Sequence, residues 1–239
     1  MRNSKTIYFI FRKEIAGYFN TPSAYVISIV FLLITGYFFS QPLFLINQAG
    51  IDGFVDMVPL LMTFFIPAVT MRLFAEEKKS GTLEVLLTFP VTDLQIIGAK
   101  ALSSLSLIAI VLGMTFMYPL TVSILGRPDY GGILGAYIGL FLLSVVFTSA
   151  GLFTSVLAHN QVVSFILSFL ISFVFYMTGK LSPFAPVWLG PYLDFIGVDS
   201  HLNNLSRGVL DLRDFAYFIS VSGFFLYAAR VRLWIMRYD

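Results

Sequence analysis

The sequence predicts an all-α integral membrane protein with six transmembrane helices. The chain has 239 residues, of which 58% are apolar and only 12% charged, and its mean hydropathy is +0.86. Soluble domains carry about 25% charged residues, so this chain has too little polar surface to cover a globule of its size. The composition therefore argues against a soluble enzyme and excludes a disordered chain. Aromatic residues make up 17% of the chain, which favours lipid-facing helices and interfacial belts.

The N-terminal segment, 4–20, predicts an amphipathic helix that lies on the membrane surface. Its apolar residues recur at helical spacing, but the charges at 12–14 make its centre too polar to span a bilayer. The same charges interrupt the apolar run that a signal peptide needs, and no small-residue cleavage site follows. The alternative is a flanking positive segment that only sets topology.

Six segments are predicted to span the membrane. A spanning helix needs about 20 mostly apolar residues, and the segments that meet or approach this length are 22–46, 57–75, 94–125, 133–157, 162–178 and 215–236. The first opens with Pro22, which suits the first helical position. The second contains Pro59 and Pro67, which a bundle tolerates as kinks. The third follows a capping-box pattern at Thr92 and Gln95 and is longer than one bilayer, so we expect its first turns to project into the cytoplasm.

The distribution of charge predicts that both termini are cytoplasmic. Six spans place both termini on one side, together with eleven of the fifteen basic residues: Arg2, Lys5, Arg12, Lys13, Arg72, Lys78, Lys79, Lys100, Arg230, Arg232 and Arg237. The other side has four basic residues against seven acidic ones. Cytoplasmic loops carry the excess of Lys and Arg.

The interior of the spans predicts neither a catalytic nor a metal site. The chain has no cysteine, and its two histidines, His159 and His201, lie far apart in sequence. The spans contain few ionisable residues, whereas ion-coupled transporters and intramembrane enzymes need them at membrane depth. Their Ser and Thr residues either allow close helix packing or line a polar path. An intramembrane enzyme and a stand-alone secondary transporter remain the alternatives, and a net charge of +2 does not indicate nucleic-acid binding.

Segment 76–90 is the most informative part of the chain outside the spans. We expect the four consecutive charges at 76–79 to lie in water, Ser80-Gly81 to form a turn with Ser80 as an N-cap, and Pro90 to end a short helix over 82–89. The apolar face that this helix exposes consists of Leu83, Leu86 and Leu87. Either a groove on a cytoplasmic partner or the bilayer surface would bury that face.

The stretch EEKKSGTLEVLLTFPVTDLQIIGAK resembles the cytoplasmic coupling segment of ABC-2 type transporter permeases, the six-span membrane subunits of exporters driven by separate ATPases. The matching positions are Glu76, Glu77, Lys78, Gly81, Thr82, Glu84, Leu86, Leu87, Pro90, Gly98 and Lys100. The N-terminal amphipathic helix and segment 201–214 also resemble this family. Among its branches, the permeases associated with gliding motility are the most similar.

The resemblance implies a permease subunit of an ATP-driven exporter, in the bacterial cytoplasmic (inner) membrane. The residues implied to receive the ATPase power stroke are Glu76, Glu77, Lys78, Lys79, Gly81, Thr82, Leu83, Glu84, Leu86, Leu87 and Pro90. A cytoplasmic ABC ATPase would bind ATP and Mg, because this sequence has no phosphate-binding G-x-x-x-x-G-K-[ST] loop. This chain would itself bind no cofactor, and a second permease, identical or related, would complete the pathway.

Segment 179–214 is predicted to lie at the outer membrane surface, as a re-entrant or interfacial helix pair. Its prolines prevent one continuous helix, and its aromatic residues suit the headgroup layer. The candidate outer gate consists of Pro183, Pro186, Trp188, Pro191 and Tyr192; the alternative is a plain interfacial loop. His201, Arg207, Asp211 and Asp214 are interpreted as polar helix caps rather than as a catalytic cluster.

Overall fold

The computed structural model describes residues 2–45, 50–126 and 128–238, and these residues are helical apart from short connections. The helices are α1 (Arg2–Phe19), α2 (Pro22–Leu45), α3 (Asp52–Thr70), α4 (Arg72–Lys79), α5 (Thr82–Thr88), α6 (Asp93–Met114), α7 (Met117–Leu125), α8 (Tyr130–Leu157), α9 (Gln161–Leu181), α10 (Gly190–Ile196), α11 (Val198–Ser206) and α12 (Leu212–Tyr238). A 3-10 turn, Ser182–Phe184, follows α9. Residue 46, the last of the first predicted span, lies outside the described residues.

Within the described residues, six helical segments are long and apolar enough to cross a membrane, which confirms the predicted fold class. They are Pro22–Phe44, Gly53–Lys79, Asp93–Leu125, Tyr130–Leu157, Gln161–Phe184 and Leu212–Tyr238. The chain is therefore a multi-pass membrane protein.

Two of these segments are interrupted, each for an identifiable reason. The segment predicted over 94–125 is two helices, α6 and α7, that meet at Thr115–Phe116. The break lies four residues before Pro119, whose ring would clash with the carbonyl of Thr115 if the helix were continuous. The second segment is divided into α3 and α4 at Met71, where the hydroxyl of Ser155 enters the helical hydrogen-bond ladder.

Helix α8 forms the centre of the bundle. It is the most buried of the six candidate spans and packs against α3, α9, α11 and α12. Three of its glycines, Gly132, Gly135 and Gly139, face α11, and a Cβ atom at Gly135 would lie 1.9 Å from the carbonyl oxygen of Leu205. The backbones of α8 and α11 are therefore in direct contact, which only glycine permits here.

The two ends of the bundle carry different structures. One end comprises α1, α4, α5, the start of α6 and the end of α12, and we call it the elbow end. The far end comprises α7, the start of α8, α10, α11 and the start of α12. Segment 179–214 lies at the far end, where α11 is partly buried between α8 and α9 and α10 is mostly exposed.

Candidate functional site

The segment that resembles a coupling segment forms a tight helix–turn–helix at the elbow end. Helix α4 ends at Lys79, and α5 begins after Gly81, which has a φ of +71° and serves as its N-cap. This left-handed conformation favours glycine. The expectation that Ser80 caps α5 is wrong: the Ser80 hydroxyl hydrogen-bonds back to the carbonyl of Glu76 at 3.0 Å and contacts the Thr82 hydroxyl at 2.8 Å.

Helix α5 turns its leucines inward. Leu83 is buried, and Leu86 and Leu87 are half-buried against the core. The expectation that these three leucines form an exposed face is therefore wrong. The apolar side chains that α5 and its C-cap expose are Val85 and Phe89, with 58% and 55% of their surface accessible. Of the other residues implied to meet an ATPase, the exposed ones are Glu76, Lys79, Gly81, Thr82, Glu84 and Pro90.

Two of the four charges in the last turn of α4 point into the protein. Glu76 and Lys79 are exposed, but only 13% of the Glu77 side chain is accessible. Lys78 is half-buried and donates a hydrogen bond to the carbonyl of Val156 in α8 at 3.1 Å. The expectation that all four charges lie in water is thus wrong for Glu77 and Lys78.

Glu77 belongs to an ion cluster with Lys13, Glu14 and Lys100, which joins α1, α4 and α6. Lys100 is fully buried. Its Nζ lies 2.8 Å from Glu14 Oε1, 3.0 Å from Glu77 Oε2 and 2.6 Å from the carbonyl oxygen of Leu73. Nζ donates hydrogen bonds to Glu14 and to the carbonyl of Leu73, and it forms an ion pair with Glu77. Lys13 approaches Glu77 Oε1 at 3.3 Å, so the formal charges of the cluster balance.

Ser155 of α8 supports the first turn of α4. Its hydroxyl accepts hydrogen bonds from the backbone N–H groups of Phe74 and Ala75 at 2.9 and 3.1 Å, and it donates one to the carbonyl of Met71 at 3.1 Å. The first N–H groups of a helix have no partner within the helix. Ser155 therefore satisfies buried groups that the break at Met71 exposes, and it attaches α4 to the centre of the bundle.

A second contact joins α4 to the α1–α2 junction. Arg72 donates a hydrogen bond to the hydroxyl of Thr21 at 2.9 Å, and its guanidinium lies 4.2 Å above the centre of the Tyr18 ring. The Tyr18 hydroxyl donates to the carbonyl of Val69 at 3.0 Å. Burial raises the pKa of Tyr18 well above its usual value, in spite of the opposing charge of Arg72. The phenol therefore stays neutral and keeps this hydrogen bond.

The end of the chain also returns to this region. Arg237, in the last turn of α12, lies 3.0 Å from the carboxylate of Asp93, the first residue of α6. Asp93 is buried, and a carboxylate is favourable at a helix N-terminus. The Gln95 side chain accepts a hydrogen bond from the Thr92 N–H at 3.1 Å. The start of α6 is thus held to α12 as well as to α1.

The sequence did not identify several residues that organise the elbow end: Glu14, Arg72, Asp93, Ser155 and Arg237. In the sequence, Glu14 is recognisable only as one of the charges that interrupt an apolar run. Its partner, Lys100, lies 86 residues further along the chain, so no local pattern points to it.

The predicted outer-gate residues lie apart from this region. Pro183, Pro186, Trp188, Pro191 and Tyr192 are all exposed, in the turn after α9 and in the first half of α10.

A buried polar group lies nearby, at the far end. His201 Nδ1 is 2.6 Å from Asp214 Oδ1, and the amide of Asn204 donates to Asp214 Oδ2 at 3.2 Å. Arg207 is exposed and Asp211 half-buried, and neither is within salt-bridge distance of this pair. The pair connects α11 to the start of α12. Among the described residues, no three His, Asp or Glu side chains are grouped so as to hold a metal ion.

The comparisons with known proteins agree with this architecture. A family model described as ABC-2 family transporter protein matches residues 9–227, nearly the whole chain. The match includes most of α1, the helix–turn–helix and the far-end helices. No curated protein matches the sequence.

Proposed function

Because this chain belongs to the ABC-2 family of transporter proteins, and is accordingly a permease component of an ABC transporter, we propose that it receives the movement of a separate ATPase through α4 and α5. In this proposal the chain forms half of the translocation pathway of an exporter. The single observation that carries the proposal is the helix–turn–helix at the elbow end, which presents one face outward and is attached to the bundle by buried polar contacts.

The outward face of α5 has the chemistry of a docking surface. Val85 and Phe89 are exposed apolar residues beside the exposed carboxylate of Glu84. Short helices bind grooves through apolar anchors on one face, and the inward packing of Leu83 fixes which face remains available. An ATPase groove with an apolar floor and a basic rim would match this surface.

The contacts of α4 provide a route for movement into the membrane. A displacement of α5 acts first on α4, since the turn at Gly81 is short and internally hydrogen-bonded. From α4, the ion cluster leads to α1 and α6, Ser155 leads to α8, and Arg72 leads to the α1–α2 junction. The elbow end would therefore move as one body, tilting the spans to which it is joined.

The proposal also assigns a side of the membrane to each end of the bundle. The elbow end faces the cytoplasm of a bacterial cell, with both termini on that side of the cytoplasmic membrane. ATP and Mg are bound by the ATPase, and a second permease completes the pathway. The far end then faces outward, where the exposed proline and aromatic residues of 183–192 would form a gate or release site.

Purification of the tagged chain from its native membranes, followed by measurement of ATP hydrolysis, tests the docking surface. We expect an ATPase to co-purify with the wild-type chain and to be lost from Val85→Asp and Phe89→Asp. The matched control is Val187→Asp, which changes a residue that is 95% exposed at the far end and should retain the ATPase. The proposal is wrong if the wild-type chain brings down no ATPase, or if all three variants retain it equally.

A further inference from the structure

A groove of about 480 Å³ lies between α9, α10 and α12 at the far end. Its lining includes Phe175 of α9, Phe195 and Ile196 of α10, and Arg213, Ala216 and Tyr217 of α12. The lining is apolar except for Ser220, the tyrosine hydroxyl and the guanidinium of Arg213. None of these residues belongs to the elbow end, so the groove has no part in the proposed contact with an ATPase.

Polar contacts behind the groove hold its walls in place. The hydroxyl of Tyr217 in α12 donates to the carbonyl of Ile196 in α10. His201 stacks on the Tyr217 ring with a centroid distance of 4.0 Å, and its Nε2 lies 3.3 Å from the carbonyl of Phe195. His201, in α11, also pairs with Asp214 in the first turn of α12. The groove is therefore preformed, which lowers the cost of binding a ligand.

Arg213 places a positive charge at this apolar groove. It lies in the first turn of α12, it is exposed, and no acidic side chain among the described residues lies within 4.0 Å of its guanidinium. The neighbouring Asp211 accepts a hydrogen bond from its backbone N–H, while Asp214 is engaged by His201 and Asn204. The cation is thus available to an external anion.

We propose that this groove binds one phospholipid with an anionic headgroup, its acyl chain against the apolar lining and its phosphate on Arg213. Helices α9 and α12 are candidate spans, so a groove between them opens towards the hydrocarbon of the bilayer. Exposed aromatic residues beside α10, Trp188 and Tyr192, are typical of the headgroup layer. Guanidinium groups bind phosphate through two parallel hydrogen bonds, which matches a headgroup held at the edge of the groove.

Native mass spectrometry of the delipidated full chain in detergent tests this site, with phosphatidylglycerol and phosphatidylcholine of the same acyl chains as probes. We expect wild type to retain one phosphatidylglycerol in preference to phosphatidylcholine. Arg213→Gln should weaken phosphatidylglycerol binding about tenfold, the loss of one charged hydrogen-bonding group, and remove the preference. The matched control is Arg207→Gln, an exposed arginine at the same end that does not line the groove.

A second pair of variants tests the acyl-chain part of the groove. Ala216→Phe should fill the groove and weaken binding of both lipids, whereas Ile219→Phe, at an exposed position of α12 outside the lining, should weaken neither. Glycerol phosphate without acyl chains should fail to displace the lipid.

Three results would overturn the proposal: equal binding of the two lipids by wild type, the same effect from the two arginine variants, or displacement by glycerol phosphate. If Ala216→Phe does not give a monodisperse protein, the Arg213 pair still decides, because Arg213 is exposed and makes no side-chain contact that folding requires. No ATPase is present in this experiment, so its failure leaves the proposed function untouched.

Discussion

Replacement of Lys100 by methionine tests whether the ion cluster holds the elbow end together. Methionine has a similar length but no charge, so the substitution removes the ammonium group with little change in shape. The carboxylates of Glu14 and Glu77, which lie 2.8 and 3.0 Å from Lys100 Nζ, would then face the same apolar side chain. The carbonyl of Leu73, at 2.6 Å from Nζ, would lose its partner.

The contacts of Lys100 allow the size of the effect to be worked out. Removing one partner of a buried ion pair costs about 3–5 kcal/mol. The side chains of Glu14 and Glu77 retain 15% and 13% accessibility, which lets water relieve part of the repulsion. We therefore take the lower limit, about 3 kcal/mol. For a chain of this size 1 kcal/mol corresponds to about 2–4 °C, so Lys100→Met should lower the apparent Tm by about 6–12 °C.

Thermal unfolding of the full chain in mild detergent, followed by tryptophan fluorescence, measures this shift. Lys79→Met is the control, because Lys79 is exposed in α4 and should change the apparent Tm by no more than about 2 °C. Adding Glu14→Gln and Glu77→Gln to Lys100→Met should recover at least half of the loss, since neutral groups replace unpaired charges. The reasoning is refuted if Lys100→Met is as mild as Lys79→Met, or if the glutamines recover nothing.

Two further substitutions test other contacts, each by the same unfolding measurement. Gly135→Ala should lower the apparent Tm by several degrees, because the added Cβ would lie 1.9 Å from the carbonyl oxygen of Leu205. Gly113→Ala is the control: its Cβ would have nothing within 4 Å, so the substitution should be neutral or stabilising. Equal effects of the two substitutions would contradict the close packing of α8 on α11. Ser155→Ala should cost about 1–3 kcal/mol, because it leaves buried N–H groups of α4 without an acceptor. Ser106→Ala is its control, since that hydroxyl only bonds back within α6, and a loss no larger than the control's would show that water replaces the Ser155 hydroxyl.

Local signals in the sequence predicted the class of the fold and the outline of the candidate site. Long apolar runs predicted six spans, because the length of such a run reflects the thickness of the bilayer. Thr92 and Gln95 predicted the start of α6, since a cap depends on residues that are neighbours in the chain. Gly81 and Pro90 likewise mark the two ends of the short helix α5, because both act on the backbone next to them in the chain.

The faces that each helix turns inward could not be predicted in this way. Glu77 was expected in water, and Leu83 was expected on a face open to a partner or to the bilayer surface. Leu83 is instead buried, and Glu77 joins an internal ion cluster. Side chains point in all directions around a helix, and the neighbours that pack against it decide which of its faces is buried. Those neighbours come from α1, α6 and α8, far along the chain.

The sequence by itself determined that this protein is an all-helical membrane protein with six spans, because the length of each apolar run is a property of contiguous residues. The segment at 76–100 likewise carried the resemblance to ABC-2 permeases, which the family model then showed. Only the tertiary structure decided that Glu14, Glu77 and Lys100 meet, that Ser155 supports α4, and that α11 lies on the glycines of α8. Each of these contacts joins residues from separate helices, and the buried ammonium group of Lys100 is stable only where the folded chain brings two carboxylates and a carbonyl to it.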